Sequence, residues 1–472
     1  MSSLVSINEE KIIYVVNKVL NSIKPSKEEI KRAYEVYEVL KGDLEPYFSD
    51  INANIQLHGS VEKDTALSKD LDLDIFVLIP KSLGREWIRK EFIKRAKEAL
   101  KKYDIEERYA EHPYLRIRFN ESIEADIVPA LKIDDPKESI TVADRTPFHT
   151  QYVKSRLNQE MRDSVRLLKK FMKGVRVYGA EVKVGGFSGY LSELLVIKYG
   201  SFIEVLKEAS KWRIPVVVSL DEKEDPYTLR KIFPDASFIF PDPVDPRRNA
   251  AAAVREETLS RFILASRAFL EDPSEDFFYP PEPSTDLVKK RSRELCYLPL
   301  KVEITKRDSP DNIWGQLHRL KRRVFNTLIS EGYEPLYIDV YWNEKNNPII
   351  YLELPNEYCE KNFIWRVVEG PPVHSLESDN FIKKQLDLGE GYWIRENRIF
   401  GRRKKYLDDL LRRVRELSQL NSIRCCERIL DKESFLEYID DHDYLVWIGE
   451  VLLKTPSYQF KKLGSRQEFR GL

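Results

Sequence analysis

Two aspartates separated by one residue, with a Gly-Ser pair upstream, are the residues of this chain best suited to chemistry. Eleven residues separate the Gly59-Ser60 pair from Asp72, and Asp74 follows beyond one leucine. Residues 71–79 alternate and are rich in Leu, Ile, Phe and Val, which predicts a buried strand with both aspartates on one face. Adjacent carboxylates repel each other unless a cation lies between them, and Mg²⁺ prefers such oxygen ligands. The spacing therefore predicts a metal site beside a phosphate-binding turn, against the alternative of two solvated aspartates.

A third carboxylate is expected from a hairpin further along the chain. Residues 114–119 and 123–128 both alternate, and the residues at 120–122 are typical of a turn. Glu124 and Asp126 share one face of the second strand. Three carboxylates can hold two Mg²⁺ ions for phosphoryl transfer. Spacing alone does not choose between Glu124 and Asp126, and it leaves open that both are merely exposed.

The order of these motifs resembles a known superfamily. Gly-Ser, Asp-Leu-Asp-Ile and Asp-Ile-Val-Pro occur together in the nucleotidyltransferases that include polymerase beta, poly(A) polymerases and CCA-adding enzymes. Three further stretches narrow the resemblance: DRTPFHTQYV at 144–153, the segment 165–202 with its Gly-Phe-Ser-Gly-Tyr motif, and DPVDPRRNAAAAV at 242–254. Together they resemble the class I, archaeal-type CCA-adding enzymes, which are tRNA nucleotidyltransferases. The resemblance is dense over residues 55–255 and weaker towards the C-terminus.

The resemblance implies roles for particular residues. It selects Asp126 over Glu124, so that the catalytic and metal-binding set becomes Asp72, Asp74 and Asp126. It implies nucleotide contacts from Ser60, Lys63, His149, Lys169, Tyr178, Arg247 and Arg248. Lys63 stands where the family commonly has an arginine, which keeps the charge and loses the bidentate fork. Without the resemblance, His149 would be interpreted as a structural residue and Lys169 as a lysine at the edge of a helix. Arg247 and Arg248 would be interpreted as solvated residues of a turn.

Composition limits the class of protein. The chain has 472 residues, with 78 basic and 78 acidic side chains, so RNA binding must depend on local basic patches. Of the 4 cysteines two are adjacent, and neither a disulfide scaffold nor a Cys-x-x-Cys zinc site is expected. No secretory pattern opens the sequence, and no apolar run approaches about 18 residues. We therefore expect a cytoplasmic protein that does not cross a membrane.

The pattern of elements predicts an α+β multidomain fold. Two helices over residues 5–47, the strands and hairpin described above, and a helix at 85–102 predict a palm-like head with a mixed sheet. Residues 155–275 are mostly helical in pattern, with an alanine-rich helix start at 250–253. Prolines at 273 and 280–283 mark a linker. The predicted domains are a catalytic head (1–144), a helical neck completing the nucleotide site (145–275), a mixed α/β RNA-binding body (276–310 with 395–472) and an RNA-binding tail (311–394).

A basic stretch in the C-terminal third is the candidate RNA-binding segment. Residues 398–415 contain eight basic and two acidic side chains, with aromatic residues interleaved. Lysine and arginine pair with phosphates, and aromatic or guanidinium planes stack on bases. RNA contacts are therefore predicted at Arg402, Arg403, Lys404 and Lys405. The alternative for this stretch is the solvated face of a helix.

The resemblance implies template-independent addition of C, C and A to the 3′ end of tRNA. The substrates would be CTP and ATP, the cofactor Mg²⁺ and the released product pyrophosphate. Another enzyme on the same catalytic domain, such as a poly(A) polymerase, fits the Gly-Ser pair and the aspartates equally, but the later motifs argue against it. A non-catalytic RNA-binding module is the third hypothesis. A homodimer through the C-terminal region stays open.

Overall fold

A computed structural model describes residues 2–109, 113–120, 123–417, 420–436 and 441–463. The chain forms two compact units, residues 1–280 and 281–472. Among the described residues, no helix is both long enough and apolar enough to span a membrane. The predicted division into four domains stays a prediction.

The first unit combines one main sheet with a helical region. Its strands are β1 (Asn54–His58), β2 (Leu71–Pro80), β3 (Ile105–Tyr109), β4 (Pro113–Asn120), β5 (Ile123–Lys132), β6 (Val216–Val217) and β7 (Phe238–Ile239). Its helices are α1 (Ser2–Ile23), α2 (Lys27–Phe48), α3 (Gly59–Glu62), α4 (Gly84–Trp87), α5 (Ile93–Ala99), α6 (Thr146–Arg156), α7 (Gln159–Gly174), α8 (Gly189–Tyr199), α9 (Phe202–Ala209), α10 (Pro226–Ile232) and α11 (Glu256–Glu271).

The main sheet is mixed, as the sequence predicted, with strand order β1-β2-β5-β4-β3. Strands β2 and β5 run parallel, whereas the other neighbouring pairs run antiparallel. Alternate residues of β2, such as Leu73 and Ile75, are fully buried in a core shared with α2 and β5. The opposite face of β2 therefore carries Asp72 and Asp74.

Two predicted elements differ in detail. The helix predicted at 85–102 begins at Gly84, includes a π-helical turn at Ile88–Phe92, and ends at Ala99. The π turn keeps Ile88, Phe92 and Ala96 buried on one side. The predicted helix start at 250–253 is wrong, because these alanines form turns that bond back to Phe240 and Asn249, and the helix begins only at Glu256.

The helical region of the first unit packs around aromatic side chains. Phe171 of α7 contacts Phe202 of α9 and Phe262 of α11, with ring centroids 5.7 and 6.2 Å away. These three side chains are fully buried. The packing fixes α7, and the face of α7 that carries Arg166 and Lys169 is turned towards the segment between α3 and β2.

The second unit has two further sheets. Its strands are β8 (Cys296–Ile304), β9 (Tyr337–Tyr341), β10 (Ile349–Leu354), β11 (Phe363–Pro372), β12 (Tyr392–Arg395), β13 (Arg398–Tyr406) and β14 (Ile423–Ile429). Its helices are α12 (Thr285–Glu294), α13 (Pro310–Glu331), α14 (Glu357–Lys361), α15 (Ser378–Asp387), α16 (Leu407–Glu416), α17 (Lys432–Leu436) and α18 (His442–Leu453). The sheet orders are β14-β8-β10-β9 and β11-β13-β12.

The second unit corrects two interpretations of the sequence. A helix over 398–415 is wrong for its first half, because residues 398–406 form the central strand β13, and only from Leu407 does the chain become helical. A disulfide joins Cys296 at the start of β8 to Cys359 in α14, across 63 residues of sequence. No pattern of spacing among 4 cysteines predicts which two of them meet.

Candidate active site

Four carboxylates lie on one face of the main sheet. Asp72 and Asp74 alternate along β2 with buried leucines. In the parallel pairing, Glu124 of β5 is the register partner of Asp72, and Asp126 is the partner of Asp74. The hairpin that carries Glu124 and Asp126 forms as an antiparallel pair, β4 and β5, and its turn residues at 121–122 lie outside the described residues. The sheet therefore brings the three predicted metal ligands onto neighbouring strands.

These carboxylates repel one another electrostatically. Burial and the nearby charge of Asp126 raise the pKa of Asp74 to about 7, although Lys63 acts in the opposite direction. Burial and the charge of Asp70 also raise the pKa of Asp72. Two neighbouring carboxylates with raised pKa values are a site that a hard divalent cation stabilises. Asp72 and Asp74 thus fit the predicted role.

The third ligand has a cation of its own. Arg116 of β4, the register partner of Asp126, donates from Nε and Nη2 to the two oxygens of that carboxylate, each at 2.6 Å. Its Nη1 also lies 3.4 Å from Glu124. Within the described ranges, no three Asp, Glu, His or Cys side chains converge closely enough to hold a metal ion together. Asp126 is therefore in register with Asp74 but engaged by a guanidinium.

The Gly-Ser turn passes directly against Asp74. Gly59 begins α3 with φ +69°, a left-handed conformation that favours glycine. A Cβ at Gly59 would lie 1.7 Å from Oδ2 of Asp74. Backbone and carboxylate are thus in contact here, and Ser60 follows at a half-buried position.

Substituting Gly59 with alanine is expected to disrupt this contact. Gly59→Ala must displace either α3 or Asp74, so the enzymatic activity that the resemblance implies should fall by at least about 10²-fold, the size typical of a misplaced reactive group. Gly84→Ala is the matched control, because Gly84 also has φ +69° but has open space around its Cβ position. For both variants, activity assays measure the loss of function and unfolding midpoints measure the loss of stability. Equal losses in both variants would mean that only backbone strain matters at Gly59.

A buried ion cluster stands beside the Gly-Ser turn. Glu193 of α8 is fully buried, and its carboxylate lies 2.5 Å from Nζ of Lys63 and 3.6 Å from Nζ of Lys169. Thr65 donates a hydrogen bond of 2.8 Å to the same carboxylate. Burial lowers the pKa of Lys169 to about 8, although the charge of Glu193 acts in the opposite direction. Burial by itself would raise the pKa of Glu193, but the charges of Lys63 and Lys169 lower it. The cluster carries one net positive charge when all three groups are ionised.

Glu193 is a site residue that the sequence reasoning missed. It lies in the apolar run of α8, where its neighbours from Leu191 to Val196 are buried. A charge buried in such a run requires an opposite charge, and this requirement is the signal that could have identified it. Glu193 joins Lys63 and Lys169, two residues predicted independently as nucleotide contacts.

Tyr178 lies beside the same cluster. A Cβ at Gly189 would be 3.0 Å from the Tyr178 hydroxyl and 3.6 Å from Cε of Lys169. Burial, followed by the charge of Glu193, raises the pKa of Tyr178, so its hydroxyl stays protonated and can donate a hydrogen bond. Lys173, which follows Lys169 by one turn of α7, has its Nζ atom 5.4 Å from the centre of the Tyr178 ring.

His149 belongs to a second polar group. Its ring stacks on Tyr190 with centroids 4.1 Å apart, and its Nε2 lies 2.9 Å from a carboxylate oxygen of Asp242. The Tyr190 hydroxyl donates to the other oxygen of Asp242, also at 2.9 Å. Asp242 is buried, and although burial opposes it, the bond with His149 lowers its pKa. Tyr190 and Asp242 were not predicted individually, although both lie within the motifs that carry the resemblance.

The arginine pair is unequal in the structure. Asp245 accepts two hydrogen bonds from Arg247, at 2.8 and 3.1 Å, and also lies 3.3 Å from Arg145. Arg248 forms no ion pair or side-chain hydrogen bond with any described residue. Its guanidinium is the one of the two that is available to a ligand.

The candidate RNA-binding residues divide between two faces of the second unit's three-stranded sheet. On one face Arg402 and Lys404 lie over the ring of Trp365, at 4.2 and 5.0 Å, and Trp365 is 41% exposed. Alternation turns Arg403 and Lys405 to the other face. There Lys405 covers the ring of Tyr333 at 4.6 Å. We call the first the open face. The four predicted residues therefore do not lie on one face of the sheet.

A mixed sheet with paired aspartates after a Gly-Ser helix, followed by a helical region, is the architecture of a nucleotidyltransferase of the polymerase-beta type. Residues 163–279 match the family described as "tRNA nucleotidyltransferase, second domain", and residues 14–164 match the "Second Messenger Oligonucleotide or Dinucleotide Synthetase domain". A CCA-adding enzyme of Sulfurisphaera tokodaii is 38% identical over 94% of this chain and 99% of its own length. One of Sulfolobus acidocaldarius is 35% identical over the same two shares.

The chain belongs to the family of the CCA-adding enzymes, which are tRNA nucleotidyltransferases. The predicted resemblance, fold class and enzyme class are therefore confirmed. A solved structure of Cid1, described as an RNA terminal uridylyl transferase, aligns with 57% of this chain and 98% of its own, with a TM-score of 0.46 and 17% identity.

Proposed function

We propose that this protein adds C, C and A to the 3′ end of tRNA, using CTP and ATP without a template and releasing pyrophosphate. The observation that carries the proposal is the position of Asp72 and Asp74 on the same sheet face as Asp126, the register partner of Asp74, beside the Gly-Ser turn. The tRNA 3′-hydroxyl oxygen attacks the α-phosphorus, the bond to the β-phosphate breaks, and pyrophosphate leaves. The 38% sequence identity to a CCA-adding enzyme over 94% of this chain supports tRNA as the substrate.

Mg²⁺ is the proposed cofactor, held by Asp72, Asp74 and Asp126. When bound, it lowers the pKa of the attacking hydroxyl and neutralises charge on the triphosphate, with one ion for each task in a two-ion site. Binding through all three aspartates requires Asp126 to release Arg116, its present partner.

The remaining site residues position the nucleotide. The triphosphate would be held by Ser60, Lys63, Lys169 and Tyr178. The serine hydroxyl in the Gly-Ser turn, the net positive ion cluster and the protonated tyrosine hydroxyl all suit phosphate oxygens. Placing reactants correctly contributes about 7–11 kcal/mol in ideal cases. His149, in the second polar group, and Arg248 would contact the nucleotide, whereas Arg247 is held by Asp245. A pocket discriminates strongly against GTP and UTP when it hydrogen-bonds the edge of the correct base, because a wrong base then leaves polar groups unpaired.

An incorporation assay tests the proposal. The protein is incubated with Mg²⁺, a tRNA transcript ending at the discriminator base, and each labelled nucleotide alone and in pairs. Two C additions with CTP, and one A only when ATP is also present, are expected. Long A tails would instead indicate a poly(A) polymerase. Binding of tRNA without incorporation would indicate an RNA-binding module.

The open face of the three-stranded sheet is proposed to bind RNA. Arg402→Gln with Lys404→Gln should weaken tRNA binding and reduce the slope of log affinity against log salt by about one for each phosphate that is no longer neutralised. The matched pair Arg403→Gln with Lys405→Gln removes the same charge from the opposite face and should have the smaller effect. Binding titrations at several salt concentrations measure both. Equal effects would show that net charge, rather than the open face, governs binding.

A further inference from the structure

A cavity of about 890 Å³ lies in the first unit, apart from the predicted nucleotide contacts. The end of α1, the segment before β2, α7 and residues 275–279 form its walls. None of the residues predicted to bind the nucleotide lines it. Its charged lining consists of Lys18, Lys69, Lys170, Lys173, Asp70 and Glu275, so that it carries two more positive than negative charges.

Two of the four lysines have no carboxylate partner. Lys18 pairs with Glu275 at 2.5 Å, and Lys173 pairs with Asp70. In the part of the chain that the structure describes, Lys69 and Lys170 form no ion pair. Glu29 does not compensate for Lys69, because its carboxylate accepts from the Ser68 hydroxyl and the Lys69 backbone amide.

The surplus charge is partly shielded from solvent. Lys170 lies 4.1 Å from the centre of the Tyr279 ring at a half-buried position. Burial and the charge of Lys173 lower the pKa of Lys170. The charge of Asp70 acts in the opposite direction, but that carboxylate is already paired with Lys173, so an anion that enters the cavity would stabilise the Lys170 ammonium.

The cavity adjoins the site of nucleotide addition. Lys173 follows Lys169 by one helical turn and lies against the Tyr178 ring as well as Asp70. Asp70 in turn precedes Asp72 by two residues. The same lysine therefore borders both the predicted triphosphate contacts and the cavity.

We propose that this cavity binds a chain of phosphate groups, either the pyrophosphate released by nucleotide addition or the terminal phosphates of the incoming nucleotide. The inference rests on the proposed function for the source of the phosphates. Lysine suits such a ligand because its ammonium is a compact charge that pairs with phosphate oxygens in several geometries. Lys69 and Lys170 supply the unpartnered charges, and Lys173 connects them with the reaction.

Binding of inorganic pyrophosphate to the full chain tests the site directly. Calorimetric titration at low salt should give a Kd that is raised at least about tenfold by Lys69→Gln with Lys170→Gln, the size expected when charge-assisted hydrogen bonds are removed. Lys94→Gln with Lys223→Gln is the matched control, because both lysines are exposed outside the cavity and unpaired among the described residues. Equal Kd values for the two double variants would overturn the proposal. Should the cavity variant misfold, Lys69→Gln alone, at an exposed position, decides the question in the same way.

Steady-state kinetics then distinguish the two sources of phosphate. If the cavity receives released pyrophosphate, the double variant needs more pyrophosphate for half-inhibition while the KM for CTP is unchanged. If it holds the terminal phosphates of the incoming nucleotide, the KM for CTP rises as well. A chain that adds no nucleotide contradicts the proposed function, whereas the calorimetric result still decides whether the cavity binds phosphate. Normal addition with no change in pyrophosphate binding contradicts the cavity alone.

Discussion

Asp74→Asn is expected to reduce nucleotide addition by about 10³-fold or more, because preorganised charge at the reacting phosphate is usually the largest catalytic contribution. The amide keeps the shape of the side chain against Gly59 but removes the negative charge that we propose binds the metal ion. Binding of tRNA should stay within about twofold, since the basic residues proposed to hold RNA lie in the second unit. Single-turnover addition and filter binding measure the two quantities separately.

Glu124→Gln is the matched control for Asp74. Glu124 is the register partner of Asp72 and lies on the same sheet face as Asp72 and Asp74. It is not one of the predicted metal ligands. Its substitution should leave addition within a few-fold of the unmodified protein, as is usual for partly exposed ion pairs. A large loss in Glu124→Gln with a small one in Asp126→Asn would assign the third ligand to Glu124. Equal loss of tRNA binding and addition in Asp74→Asn would argue against a metal role.

Glu193→Gln should destabilise the first unit by about 3–5 kcal/mol, the cost of leaving buried charges without a partner. Lys63 and Lys169 then remain buried at one another's side, with exposed fractions of 8 and 3%. The amide can still accept from Thr65, so the loss measures charge rather than shape. Denaturant unfolding of the full chain, followed by probes in the first unit, gives the change in the free energy of unfolding.

A second substitution separates charge from packing at Glu193. Adding Lys63→Met removes one of the two uncompensated ammonium groups, so the double variant should be more stable than the sum of the single losses predicts. Glu204→Gln on the neighbouring helix α9 serves as the surface comparison, because Glu204 pairs with Lys207 while about half exposed. It should cost less than about 1 kcal/mol. Simple additivity of Glu193→Gln and Lys63→Met would mean that the ion cluster does not act as a unit.

Local patterns carried the prediction of the main sheet. Alternation over 71–75, continued by an apolar run to 79, predicted both the strand and the face of Asp72 and Asp74, because a strand repeats every two residues and one face must be buried. The parallel pairing of β2 with β5 needs knowledge of the crossover, and sequence spacing alone could not choose Asp126 over Glu124. The resemblance made that choice.

What the sequence left undetermined depends on contacts between distant segments. Glu193 meets Lys63 across 130 residues, and no local pattern reports such a pair. Residues 398–406 contain many basic side chains, which suit a helix as well as a strand when they are exposed. The structure makes them a strand because β11 and β12 supply hydrogen-bonding neighbours on both sides. The predicted RNA-binding residues were thereby split between two faces.

The crosslink between Cys296 and Cys359 gives the two units different sensitivity to reducing agents. All 4 cysteines of the chain lie between positions 296 and 426, so the first unit contains no sulfur that can be oxidised to a disulfide. Opening a loop of this length removes about 4 kcal/mol of stabilisation in the chain-entropy description. Heating under dithiothreitol should therefore loosen the second unit first, so a reducing solution would weaken the proposed RNA binding before it affects the first unit.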